Sequence, residues 1–296
     1  MKATFIKLHV AIMFAALGSI LGKVITMNEG LIVWWRMIFA SIIFLAYVLS
    51  NKKIQRISLF SFMKIGGIGG LLGLHWVFFF GSIKAANISI GVVCFALVGF
   101  FTALLEPVIL KRKFSGKEFI YSIIVVVGIF LIFSFDIRYR TGIILGLISS
   151  ALYSLMTIFT KKVGTAYKPE TILLYQMVGG SIVLSICLPF YLNTFPVSSI
   201  IPDPRNLLFI FILALFSTVF LQLFNIQVLQ KISAFTVNLS YNLDAVYSII
   251  IAILFFNEAR ELNLSFYIGI FLITLSVILQ AADTLNRQRL KKKSLI

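Results

Sequence analysis

Apolar residues run through this chain in long, nearly unbroken stretches separated by short polar turns. Ten are readable, at residues 5–27, 31–50, 60–83, 86–110, 118–135, 141–160, 171–192, 206–230, 232–256 and 263–281. Each approaches the roughly twenty residues that an α-helix needs to cross a bilayer. The runs are long and lack the apolar–polar alternation of a membrane barrel, so they predict helices rather than strands. The expected fold is an all-α polytopic membrane protein with ten transmembrane helices.

One polar interruption inside these runs organises the rest. The second stretch, LIVWWRMIFASIIFLAYVLS, carries Arg36, and a guanidinium in a bilayer costs roughly 2.5–3.5 kcal/mol on insertion scales unless it meets a partner or a water-filled cavity. The seventh stretch repeats the pattern: Tyr175-Gln176-Met177 stands where Trp35-Arg36-Met37 stands in the second, and Ser181 answers Ser41, at a constant offset of 140. The chain therefore reads as duplicated, with the halves meeting at FDIRYR (135–140). Five helices per half is an odd number, so the second copy enters the membrane from the opposite side. Two inverted five-helix repeats result, and such repeats hold substrate near the midplane between them. The expected division is residues 1–136 for the first repeat, 137–285 for the second and 286–296 for a basic tail.

Composition supports this and adds orientation. A chain with 60% hydrophobic and 12% charged residues is not a soluble domain. The net charge of +16 then becomes a question of sidedness. With a cytoplasmic N-terminus, the inner segments hold 18 of the 26 basic residues, and the outer ones hold only Lys84, Arg138, Arg140, Arg205 and Arg260. That bias places both termini in the cytoplasm. No small-residue cleavage site follows the first apolar run, which is expected to be a retained span. Cys94 and Cys187 both lie in apolar runs, which argues against a disulfide framework.

The motifs have a family likeness. Asn242-Leu243-Asp244-Ala245-Val246-Tyr247, then Phe256-Asn257-Glu258, then Phe266-Tyr267-Ile268-Gly269 resembles the end of an EamA repeat of the drug/metabolite transporter superfamily. Trp35-Arg36 with Ala40 resembles the second helix of that repeat, and Gly18-Ser19 with Lys23 its first. The resemblance covers nearly the whole chain and rests on the order of motifs. It implies a ten-helix secondary transporter of the plasma membrane (the bacterial inner membrane). Two inverted repeats would move small metabolites, often amino acids and frequently outward, by alternating access. The alternative from another class is an integral-membrane enzyme acting on lipid or prenyl substrates. It would need clustered acids or histidines, and here the acids are scattered, so no enzyme is expected.

Candidate site residues follow from polarity at membrane depth. Arg36 can grip a carboxylate or phosphate with two parallel bonds, or serve as a structural ion pair or carbonyl cap. Trp34 and Trp35 read as an interfacial aromatic belt. His75 and Trp76 sit mid-span after a glycine-rich run, and the histidine can bind substrate, relay protons or simply pack. Tyr153, Tyr175, Gln176, Gln222, Asn225, Asn238 and Tyr241 are concentrated in the sixth to ninth helices. They would line a polar cavity for a small zwitterion, or bond helix to helix. Asp244 and Glu106 are candidates for the coupling ion. Asp244 takes the acidic position of the family pattern, and Glu106 can instead pair with Lys111 at the interface. Pro107 is expected to kink the fourth helix. No phosphate loop, His-x-x-x-His or Cys-x-x-Cys pair appears, so neither metal nor cofactor is expected. The expected partners are a small-molecule substrate and the lipid bilayer. A homodimer is compatible with the sequence, and nucleic acid is not an expected partner.

Overall fold

The computed structural model describes residues 2–51, 55–133, 139–256 and 264–293, and among them all regular structure is helical. In chain order the helices are α1 (Lys2–Val24), α2 (Glu29–Ser50), α3 (Leu59–Ala85), α4 (Ile88–Phe95), α5 (Val98–Ile109), α6 (Gly116–Phe133) and α7 (Arg140–Val163). They continue with α8 (Pro169–Thr194), α9 (Pro204–Ala214), a π-helical turn (Leu215–Phe220), α10 (Leu221–Leu229), α11 (Ala234–Ser240), α12 (Asn242–Phe256) and α13 (Leu264–Lys293). Among the described residues nine helical stretches are long and apolar enough to cross a membrane, and α6 is a further helix lying between the fourth and fifth of them. Lys52, Lys53, Arg138, Asn257, Glu258 and Arg260 lie outside the described residues, as do the side chains of the basic tail.

The helices start where the sequence offers a cap. Asn28 accepts from the Gly30 N–H at 2.9 Å, Asn87 from Ile90 at 2.9 Å and Ser233 from Thr236 at 3.1 Å. Each satisfies a donor that has no partner within the first helical turn. Pro169 and Pro204 occupy first-turn positions, where the missing N–H costs nothing.

Three expected single helices are interrupted. The fourth breaks at Ala96 and Leu97, whose N–H groups reach back three residues to Val93 (3.0 Å) and Cys94 (3.1 Å). Pro107, where a kink is expected, lies inside the last turn of α5, close to the helix end. The ninth stretch breaks at Tyr241, with Asp244 N–H bonding the Tyr241 carbonyl at 2.8 Å. The eighth is interrupted by the π-turn.

The packing has two-fold symmetry. Helix α2 meets α8, with Glu29 beside Tyr191 (2.9 Å), Trp34 beside Ser185 (2.8 Å) and Ser41 beside Ser181 (3.0 Å). Rising numbers on one helix meet falling numbers on the other, so the pair is antiparallel, and the repeat-related serines touch. A two-fold axis through two touching antiparallel helices must lie perpendicular to them, which turns the second copy upside down. Helices α6 and α13 pair the same way, through Lys117 with Asp283 (2.9 Å) and the Ser276 hydroxyl with the Tyr121 carbonyl (2.7 Å). Other large contacts also cross between copies: α3 packs on α7, and α1 packs on the α9–α10 stretch. Glycines allow the close approaches. Gly66 lies against Gly179, and a Cβ on Gly69 would land on the Gln176 carbonyl.

Candidate functional site

Arg36 projects from the second turn of α2 and is 2% exposed. Its Nε donates to Thr218 Oγ1 at 2.5 Å, and its Nη2 donates to the Ser217 carbonyl. Both acceptors lie in the π-turn. Bonding there runs five residues back, so the turn offers a carbonyl that an α-helix would have used internally. The Thr218 hydroxyl donates to the Leu213 carbonyl at 3.1 Å, leaving its oxygen free to accept from Arg36. The guanidinium carbon stands 3.6 Å from the Trp76 ring centroid, a cation–π arrangement. Among the described residues no carboxylate lies within 4 Å of Arg36.

Arg36 forms one wall of a small cavity of about 40 Å³. Six of the ten residues expected to bind substrate line it: Arg36, His75, Trp76, Tyr153, Gln222 and Tyr241. Asp244 lines it too, at the start of α12 just after the break at Tyr241. Gly18, Ser19, Phe79, Phe80, Phe95 and Ser217 complete most of the wall. Side chains from both repeats therefore meet around one small space. His75 Nδ1 bonds the Ser149 carbonyl at 3.0 Å and hydroxyl at 2.8 Å, while its ring packs 4.7 Å from the ring of Tyr153. Asn225 stands behind the wall, donating to the Tyr153 hydroxyl at 3.2 Å and to Gln222 Oε1 at 3.4 Å.

Asp244 is buried, and its side chain accepts from the Ser248 hydroxyl at 3.0 Å, with no cation within 4 Å among the described residues. Among the described residues, Arg36 and Asp244 thus share a cavity without pairing to each other or to another side-chain charge. Three wall atoms, Ser217 Oγ, Gln222 Nε2 and the Tyr241 hydroxyl oxygen, are buried without a hydrogen-bond partner among the described residues. Buried polar groups almost always find one, so these are groups available to a bound molecule.

The other expected residues lie elsewhere. Tyr175 donates to the Gln55 carbonyl at 3.2 Å at the end of the bundle where α3 begins. Gln176, the counterpart of Arg36, donates to Thr160 Oγ1 at 2.8 Å. Asn238 Nδ2 holds Thr102 Oγ1 at 2.7 Å and Thr157 Oγ1 at 2.6 Å, tying α11 to α5 and α7. Glu106 is apart from the cavity: its oxygens accept from the N–H groups of Ala234 (3.2 Å) and Phe235 (3.0 Å) at the start of α11. A carboxylate suits the positive end of a helix. Its ion pair forms with Arg112 at 3.1 Å, rather than with the expected Lys111, and Arg112 also holds Glu118 at 2.5 Å.

Two helical copies, one inverted against the other around a small buried cavity, have the architecture of the inverted-repeat class of membrane proteins. The sequence matches the EamA-like transporter family over residues 4–134 and 140–281, and the chain belongs to that family, within the drug/metabolite transporter superfamily. Membership makes it a transporter in general character and gives no support to a membrane enzyme. No curated protein matches the sequence. The similar solved structures include a crystal structure with a TM-score of 0.69, covering 98% of this chain and 99% of the other at 16% identity, a likeness of fold alone.

Proposed function

We propose that the chain carries a small zwitterionic metabolite, in the first place an α-amino acid, outward across the bacterial cytoplasmic membrane in exchange for protons. The observation that carries this reading is the pair of unneutralised charges, Arg36 and Asp244, on one cavity wall. Arg36 receives the substrate carboxylate through its planar fork, each charge-assisted bond being worth about 1.5–3 kcal/mol. Asp244 receives the ammonium group. Trp76, Phe79, Phe95 and Tyr153 enclose the substrate's apolar part.

The cavity of about 40 Å³ has room for roughly three waters, each needing about 10–15 Å³ by the same measure. That is too small for an amino acid, so in this reading substrate enters after the two repeats rock apart. Breaks at Ala96, Leu97 and Tyr241 and the π-turn are the natural places for that motion. When no ammonium occupies the site, Asp244 can hold a proton. Proton and substrate then compete for one carboxylate, so an inward proton gradient drives substrate out. Both termini lie on the cytoplasmic side in this reading, by the positive-inside bias.

The test is flux in liposomes reconstituted with the purified chain, over amino acids, nucleosides and sugars, with and without an imposed pH gradient. Gradient-driven movement of an amino acid is expected. Movement of nucleosides or sugars alone would replace the substrate class, and indifference to the gradient would remove the proton exchange.

A further inference from the structure

A second groove, of about 530 Å³, lies between α3 and α7, well away from the central cavity. Its mouth carries two lysines, Lys64 in the second turn of α3 and Lys162 in the last turn of α7. Both are exposed, and among the described residues no carboxylate lies within 4 Å of either. Lys64 Nζ stands 4.1 Å from the Phe60 ring centroid, which holds its stem along an exposed aromatic face. Beside the lysines, the Tyr167 hydroxyl donates to Ser61 Oγ at 2.7 Å.

Away from this mouth the groove turns apolar, floored by Ile68, Leu71 and Phe159. At Gly67 a Cβ would meet nothing within 4 Å, so the groove has open room there. A lysine-lined mouth at the helix ends and an apolar floor running toward the middle of the helices match an amphiphile with an anionic head. The volume lies within the usual 300–1,000 Å³ of ligand sites. The groove between α1 and α12 offers a contrast. It measures about 390 Å³, is lined by His9, Met13 and Tyr247 without a lysine or arginine, and has its one polar pair bonded to itself at 2.9 Å. That surface suits hydrocarbon but has nothing to select a head group.

We propose that the groove between α3 and α7 is a binding site for an anionic phospholipid, its phosphate held between Lys64 and Lys162 and one acyl chain lying over Ile68, Leu71 and Phe159. Basic pockets between transmembrane helices bind anionic head groups by this chemistry. Helices α3 and α7 belong to opposite repeats, so the lipid bridges the two halves.

Native mass spectrometry of the full chain in detergent, titrated with phosphatidylglycerol or with phosphatidylcholine of the same acyl chains, tests this directly. One phosphatidylglycerol per chain is expected to be retained in preference to phosphatidylcholine. Lys64→Gln with Lys162→Gln should weaken retention by about 25-fold, about fivefold for each basic residue. Gly67→Leu, which fills the groove and leaves both lysines, should weaken it as well. Equal retention of the two lipids, or retention unchanged by the lysine variant or by Gly67→Leu, would overturn the proposal. Inorganic phosphate binding in place of lipid, with Gly67→Leu without effect, would make this a free-anion site and overturn the lipid assignment. The variants report on head and tail separately, so misfolding of one leaves the other decisive, and no outcome depends on transport.

Discussion

At the scale of single residues, the structure explains how the membrane tolerates Arg36. A π-turn supplies the Ser217 carbonyl and the Thr218 hydroxyl, and Trp76 covers one face of the guanidinium. None of these neutralises the charge, which leaves it available to an anionic group. Arg36→Gln should therefore raise KM for a carboxylate-bearing substrate by at least about tenfold, the worth of one charge-assisted bond. Unchanged KM in liposome flux would reduce Arg36 to a structural role. Glu106 predicts the opposite pattern. Glu106→Ala removes the acceptor at the start of α11 and the Arg112 partner, and should cost about 2–3 kcal/mol of stability. Thermal unfolding in detergent should show the loss while substrate affinity holds.

Much of the cavity wall was legible at this scale because polarity inside an apolar run is conspicuous. Arg36, His75, Gln222 and Asp244 all stood out in that way, and Trp76 through its neighbour His75. Ser19 and Ser217 did not, since small hydroxyl residues are common wherever membrane helices pack. Phe79, Phe80 and Phe95 were hidden among thirty phenylalanines. Polarity also over-selected: Gln176 and Asn238 have the same signature but bond helix to helix.

At the scale of elements, helix positions were readable to within a few residues because run length and hydropathy set them. The interruptions were not. Ala96 and Leu97 are ordinary helix formers, and the proline that should mark a break lies inside α5. The π-turn occupies LFSTVF, a sequence with no breaker. The π-turn is met by the bonds from Arg36, a contact between distant parts of the chain that leaves no local signature. The glycine-rich face of α3 is different, since each position there has a distinct neighbour. Gly69→Ala should lower the unfolding temperature sharply, because its methyl group meets the Gln176 backbone, whereas Gly67→Ala has open space and should be nearly silent. Parallel thermal melts of the two variants check this.

At the scale of the whole molecule, the offset of 140 in the sequence becomes a physical contact, Ser41 against Ser181 across the two-fold axis. Antiparallel packing of α2 on α8 requires the copies to be inverted, so loops after α2 and after α8 should face opposite sides. Reporter fusions after Asn51 and after Asp203 should give opposite signals. The same signal from both would contradict the inverted arrangement. What the sequence could not convey at this scale is which ends of the helices converge, since a cavity assembled from both repeats exists only once they are packed.

The central claim is that Arg36 and Asp244 together recognise a zwitterion. The most direct measurement compares flux through the reconstituted chain for three analogues sharing one side chain: the amino acid, the amine lacking its carboxylate and the acid lacking its ammonium group. The account predicts that only the intact amino acid moves rapidly, with Arg36→Gln reducing its transport. Equal flux of all three, or selective flux of the amine or the acid, would contradict it.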